Sequence, residues 1–341
     1  MSDSLSQLEY LPNETLIDIF EYFDTRDLFQ AFYNLNSRFN NLLQSLNNLC
    51  LTLQTFDLNE SNDYAPYLQS LKLGDKVNIN LNDFINLRYL YLLTPSNKQL
   101  KQLETDIYPC LEHLSIDCNY VPFAKKFPEL WKKILSNGFP YLKSCELFQS
   151  TLMLTETHSI QSTQLRCLKI DIIDFFTYQI ILSSCPNLDL FQFSIALRPK
   201  ESCFIKPHLL LKKLNIRFSD FITYWDEYIV DNYFLCVPNL EQLVVYAIDY
   251  ADNIKNHYNY KWFTLSINRY FHSLHQFQFY LFIIHCEPLW QDENRDFLRQ
   301  LQDNFKQIQS DRYRSKLNID VSTSLCCKNA RYVRDYRLEY D

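Results

Sequence analysis

The sequence predicts an α/β protein: a small N-terminal module of three helices, a long body in which short strands alternate with helices, and a C-terminal cap. Three observations point there. Apolar residues recur at helical spacing before residue 46, a short leucine pattern repeats nine times after it, and a proline punctuates five of those nine copies.

The module begins at Leu11-Pro12, where proline suits the first helical turn because its missing N–H would be unpaired there. Leu16, Ile19, Phe20 and Phe23 follow at i, i+3, i+4 and i+7, one apolar face of a single helix. Asp24 or Thr25 can cap a second helix, with Asp27 in its first turn favoured by the macrodipole and Leu28, Phe29 and Phe32 on its buried side. Asn34 or Asn36 starts a third, burying Leu35, Phe39, Leu42, Leu43 and Leu46. A module this small buries too little surface to stand alone, so part of its apolar surface is expected to meet a neighbour.

From Pro66 onward the pattern is leucine, two variable residues, an apolar residue, one variable residue, an apolar residue. The nine copies open at Leu68, Leu87, Leu111, Leu142, Leu165, Leu188, Leu211, Leu240 and Leu274. Pro66, Pro109, Pro140, Pro186 and Pro238 each stand two residues before a first leucine, where a helix must stop before a strand begins. Helical stretches fall between copies, at Glu129 to Asn137, Asp174 to Ser184 and Phe221 to Cys236. Such a unit cannot bury its own apolar edge, so the copies are expected to stack as a solenoid. Beyond Phe279 the pattern changes to an amphipathic helix over Glu287 to Gln309 and an alternating strand at Leu317, Ile319 and Val321, the candidates for a cap over the last repeat.

The order Leu11-Pro12-x-Glu14-x-Leu16-x-x-Ile19-Phe20-x-Tyr22-Phe23, then Asp27-Leu28 and later Arg38-Phe39, resembles the F-box, by which substrate receptors dock on the Skp-type adaptor of cullin-RING ubiquitin ligases. The resemblance covers roughly the first 46 residues and implies that Leu11, Pro12, Ile19, Phe20 and Leu28 lie at or beneath the adaptor surface. Phe39 stands where the family often has a tryptophan. The body resembles the leucine-rich repeat in an irregular form, with the usual asparagine after the strand mostly absent. Together the two resemblances imply an F-box over 1–50, leucine-rich repeats over 51–283 and a cap over 284–341. They describe a non-catalytic substrate receptor of an SCF-type ligase; a scaffold that binds the adaptor without promoting ubiquitin transfer is the alternative.

Composition narrows the chemistry. Two glycines in 341 residues exclude a P-loop, a dinucleotide fingerprint and a G-x-S-x-G elbow, all of which need several to bring backbone against a ligand or through a strained turn. The net charge of −7, without a block of lysine or arginine, argues against nucleic acid as a direct partner. Residues 1–50 carry two arginines against seven acids, an acidic head on a nearly balanced body. Eleven cysteines without a C-x-x-C fit a reduced setting, cytoplasmic or nuclear, and the longest apolar stretch, Phe277 to Cys286, is too short to span a membrane. No cofactor or metal is expected: His272, His275, His285 and Cys286 lack paired zinc spacing, and Cys326-Cys327 is best read as two free thiols. No nucleophile stands in a motif with a base, so no enzyme activity is expected.

Side chains alternate along a strand, so the residues between the patterned apolar positions should face outward on the concave sheet. That face would carry Tyr89, Tyr91, Arg217, Tyr246 and Tyr280 as anchors for a protein substrate, since aromatics and arginine dominate binding energy at protein interfaces.

Overall fold

The computed structural model describes residues 7–46, 49–53, 65–75, 77–104, 108–117, 128–154, 161–195, 207–218, 232–250, 267, 269–285, 296, 299 and 314–323. They fall in two compact units, Met1–Thr151 with His158–Arg166, and Leu152–Thr157 with Cys167–Asp341. The class is α/β.

The first unit opens with three helices, α1 (Asn13–Phe20), α2 (Thr25–Phe32) and α3 (Ser37–Ser45). Strands β1 (Cys50–Leu53), β2 (Ser70–Leu73), β3 (Tyr89–Leu93), β4 (His113–Asp117) and β5 (Ser144–Leu152) then pair in parallel, in sequence order. Helix α4 (Asn97–Leu103) joins β3 to β4, and α5 (Pro128–Leu135) precedes β5. The second unit holds β6 (Cys167–Ile173), helix α6 (Phe175–Ser184), β7 (Leu190–Ile195), β8 (Lys213–Phe218), β9 (Gln242–Tyr250), β10 (Gln276–His285) and β11 (Arg314–Thr323), again parallel and in order. The expected strand at Leu317 is thus present and pairs with β10. Apart from Asp296 and Arg299, which are helical, the helix expected over Glu287 to Gln309 lies outside the described residues, as do most of that over Phe221 to Cys236 and Cys326-Cys327.

The leucine pattern reads the strand faces correctly in every copy. First leucines from Leu68 to Leu240 are fully buried and Leu274 is nearly so, and both following apolar positions are buried, as in Leu90 with Leu92 and Phe277 with Phe279. The residues between them are exposed or half-buried. Beyond the patterned residues β5 and β6 lose the alternation: β5 shifts at left-handed Gln149, between buried Leu147 and Ser150, and the register of β6 on β7 shifts between Lys169 and Ile172, a bulge that buries Ile170 and Ile173 together.

A second buried column escaped the pattern. Three residues before each first leucine stand Ala65, Phe84, Tyr108, Phe139, Ser162, Cys185, His208, Val237 and Phe271, every one buried. In several copies the carbonyl at this position accepts the N–H of the first leucine, closing the turn into the strand, as from Phe139 to Leu142 and from Cys185 to Leu188, each 3.1 Å. Next to it, main-chain bonds join copy to copy. The carbonyl of Gln69 accepts from the N–H groups of both Arg88 and Tyr89, and that of Lys212 from both Glu241 and Gln242. Asparagines before the first leucine add a side-chain tie: Asn86 Nδ2 donates to the Pro66 carbonyl at 2.6 Å and Asn239 Nδ2 to that of Leu209 at 3.0 Å.

His208 replaces the turn carbonyl with its ring. Nδ1 accepts the Leu211 N–H at 3.0 Å, which leaves Nε2 to donate to the Cys185 carbonyl at 2.8 Å, while the His208 N–H donates to the Cys236 carbonyl at 2.7 Å. Burial holds its pKa below the ordinary histidine value. Protonating Nδ1 would break the bond from Leu211, so the unfolded chain takes up the proton more readily. Stability should therefore be complete above the unfolded value of about 6.5 and decline as pH falls below it, until the lower folded value is passed. Half-buried His113, lowered chiefly by burial, adds in the same direction. Melting curves at pH 7.5 and 5.5 should show a smaller difference for His208→Gln than for the unaltered chain; an identical difference would contradict this wiring.

Helix ends follow their local chemistry. Asp24 rather than Thr25 caps α2, its Oδ1 accepting the Asp27 N–H at 2.9 Å, and Asn36 rather than Asn34 caps α3. Asp174 caps α6 through the Thr177 N–H. Helix α5 closes with Asn137 left-handed at φ 61° and the Gly138 N–H donating to the Lys133 carbonyl at 2.8 Å. Gly138 itself is needed for close approach, because a Cβ there would lie 2.9 Å from that carbonyl.

Candidate functional site

The first candidate surface is the helical head. Phe20, Phe32 and Phe39 form its aromatic centre, with ring centroids 4.8 to 6.2 Å apart, and Leu16, Leu28 and Leu43 close it. Of the five residues expected at an adaptor contact, Phe20 and Leu28 are 1% exposed and belong to this core, Leu11 and Ile19 are half-buried, and Pro12 is exposed. Pro12 is the residue before the first turn of α1, with extended backbone, rather than inside that turn. α1 ends at Phe20, so Phe23, expected on the buried stripe, falls beyond the helix and is 42% exposed. Tyr10 and Tyr22 are exposed too, at 74% and 91%, and Leu35, which precedes the α3 cap, reaches 60% instead of joining the core. The head thus keeps uncovered apolar surface around the start and the end of α1, beside the exposed acids Glu14, Asp18 and Glu21.

Arg38 sets the approach to α1. Its Nε donates to Asn13 Oδ1 at 2.9 Å and its two terminal nitrogens donate to the carbonyls of Glu9 and Leu11, while Asn36 Nδ2 donates to Glu9 Oε1 at 2.9 Å. One guanidinium therefore pins the segment carrying Leu11 and Pro12 against α3. The head's other side meets β1 and the 3-10 turn before β2: the Thr25 hydroxyl donates to the Cys50 carbonyl at 2.6 Å, and Phe29 stacks on Tyr67 at 5.9 Å. Part of the neighbour that so small a module requires is supplied by its own chain.

The second candidate surface is the outward face of the sheets, and the five expected anchors divide between the units. In the first, Tyr89 pairs in register with His113, and their rings stack at 4.6 Å and 9°. Tyr91 lies two residues on along β3, followed by Leu93, whose register partner Asp117 pairs in turn with Phe148. In the second unit Arg217 pairs with Tyr246 and Tyr246 with Tyr280, the two tyrosine rings stacking at 4.8 Å and 12°. Arg217, Tyr246 and Tyr280 each stand six residues after their first leucine, a shared offset that marks them as neighbours in a parallel register. Amide pairs line the same face, Asn215 with Gln192 at 3.4 Å and Gln242 with Gln276 at 2.7 Å.

Ion pairs edge the sheets one residue after the first leucine. Glu112 meets Lys143 at 2.6 Å and Arg88 at 3.6 Å in the first unit, and Lys212 meets Glu241 at 3.3 Å in the second. The bond to Lys143 is the main cause that lowers the Glu112 pKa. Their cationic partners are about half exposed, so these pairs are worth little stability.

Cys185, His208 and Cys236 come together as a nucleophile with a base would, yet His208 meets the carbonyl oxygens of both cysteines rather than their sulfurs. Burial pushes the Cys185 thiol up to about 12 and that of Cys236 up to about 11, opposite to what an activated thiolate requires. This cluster closes turns. His272 and His275 are exposed, and no group of three metal-type ligands occurs among the described residues; Cys286 and the His285 side chain lie outside them. No helix among the described residues is long and apolar enough to cross a membrane. Compared with known proteins, the chain matches no family model and no curated protein.

Proposed function

We propose that the chain is a non-catalytic substrate receptor of an SCF-type cullin-RING ubiquitin ligase, docking on the Skp-type adaptor through an F-box head and binding a protein substrate through a leucine-rich-repeat solenoid. The observation that carries this reading is the head: the Leu-Pro-x-Glu opening leads into three short helices packed around an aromatic core, while Pro12 and Tyr22 stay exposed and Phe23, edge-on to Phe32 at 5.8 Å, keeps 42% of its surface open. The body supports it as well. In doubly wound proteins helices cover both faces of a parallel sheet, whereas here strand after strand alternates buried and open positions, as stacked repeats require. The receptor acts by proximity, since holding a substrate beside a ubiquitin-charged enzyme raises the effective concentration of the acceptor lysine.

Deleting the head would uncover Tyr67 and β1, so point changes test the reading more cleanly. Leu11→Ala with Pro12→Ala should weaken binding of a purified Skp-type adaptor about tenfold or more in a titration. The melting temperature should barely move, because Pro12 is exposed and Arg38 holds the main-chain carbonyl of residue 11, which alanine retains. Unchanged affinity in a folded double variant would count against the adaptor-docking role.

A further inference from the structure

The receptor reading leaves open what kind of segment is received, and the second unit's outward face answers from its own chemistry. Arg217 is half-buried and makes no hydrogen bond or ion pair with any described residue. A guanidinium presents five donors and stays charged at any physiological pH. Partly withdrawn from water with no described carboxylate to meet, it keeps donor capacity that an incoming carboxylate can satisfy through two parallel hydrogen bonds.

Its surroundings favour the same ligand. Lys213 is exposed on the same face of β8, four residues and about 13 Å away at strand spacing, and Lys169 stands on β6 in the row of Gln192 and Asn215. Against these three cations, Asp171 is the one carboxylate at an outward position of β6 to β10 among the described side chains. At the margin, one residue after the first leucines, Arg166 and Lys212 stand against Asp189 and Glu241, and Glu241 is already engaged by Lys212. This face is cationic on a chain whose net charge is −7. The amides Gln192, Asn215, Gln242 and Gln276 on the same face offer both donors and acceptors to an extended backbone, and the Tyr246–Tyr280 stack lies beside Arg217 as an apolar platform with polar tips.

We propose that the row Arg217, Tyr246 and Tyr280 receives an acidic segment of a partner protein, with an aspartate or glutamate carboxylate on Arg217 and a neighbouring apolar side chain against the tyrosine pair. This rests on the receptor reading and deepens it by naming the substrate class. A phosphorylated side chain would present the same kind of anion to the same donors, so the test separates the two.

The probes are three short fluorescent peptides in which tyrosine alternates with glutamate, with glutamine or with phosphoserine, titrated against the full chain. The glutamate peptide should bind saturably, and the glutamine peptide about tenfold or more weaker. Arg217→Gln should cost the glutamate peptide about tenfold or more, Arg217→Lys less, and Lys132→Ala on α5 nothing. Equal binding of the glutamate and glutamine peptides, no saturable binding of the glutamate peptide, indifference to Arg217→Gln, or a preference of more than about tenfold for phosphoserine would each overturn the proposal. Should Arg217→Gln fail to fold, a diazirine-bearing glutamate peptide crosslinked to the unaltered chain decides: label on β8 to β10 supports the assignment, and label elsewhere overturns it. An adaptor titration run in parallel separates the two levels. Lost adaptor binding with peptide binding intact contradicts the receptor reading, and the reverse contradicts only this proposal.

Discussion

Leu168→Asp should destabilise the second unit by more than about 4 kcal/mol, a large part of the 5 to 15 kcal/mol typical of a folded domain. Leu168 is fully buried on β6 and pairs in register with Phe191, equally buried on β7. A carboxylate placed there loses its hydration among apolar side chains and can only protonate at a cost or unfold the strand. The adjacent Lys169 faces outward and is half-buried, so Lys169→Ala should cost no more than about 1 kcal/mol. Urea unfolding of the two variants compares the faces directly. Equal losses would mean that inner and outer positions have been exchanged.

Tyr178→Ala is expected to cost about 3 to 5 kcal/mol, the range for emptying an aromatic site in a packed core. Tyr178, on α6, is fully buried, and its ring lies 5.9 Å from Phe191, 5.2 Å from Phe193 and 4.9 Å from Tyr233. Its hydroxyl also donates to the Tyr233 carbonyl at 2.9 Å. Tyr178→Phe keeps the ring and removes only that donor, so it should cost about 1 to 3 kcal/mol. The gap between the two variants, read from urea midpoints at constant slope, measures the packing share. No gap would show that the ring cluster contributes nothing beyond the hydrogen bond.

Strand faces could be read from sequence because a period of two, anchored on a leucine, leaves no freedom once one face is buried. What varied in identity could not. Three residues before each leucine the chain uses alanine, phenylalanine, tyrosine, serine, cysteine, histidine and valine, which share burial but no chemistry. β1 escaped for a related reason: Leu51 and Leu53 pair with Leu71 and Leu73, but three residues before Leu51 the sequence has asparagine in place of a first leucine, so the pattern begins one strand later.

In the head, the helical stripe overreached by one turn. α1 stops at Phe20, and helical spacing carries no information beyond a helix end. The clamp at Arg38 left no trace either, because two of its three acceptors are main-chain carbonyls, which every residue possesses. On the sheet face, alternation identified Tyr89, Tyr91, Arg217, Tyr246 and Tyr280 as outward. It did not show that they form separate groups in two units, which depends on how the chain divides into compact units and on which strands pair.

The most direct test of the receptor account is affinity capture of the intact chain from cells, followed by mass spectrometry of what it retains. A Skp-type adaptor and a cullin should be recovered with the unaltered chain and largely lost with Leu11→Ala and Pro12→Ala. Recovery of neither from the unaltered chain, or undiminished recovery with the double variant, would contradict the account.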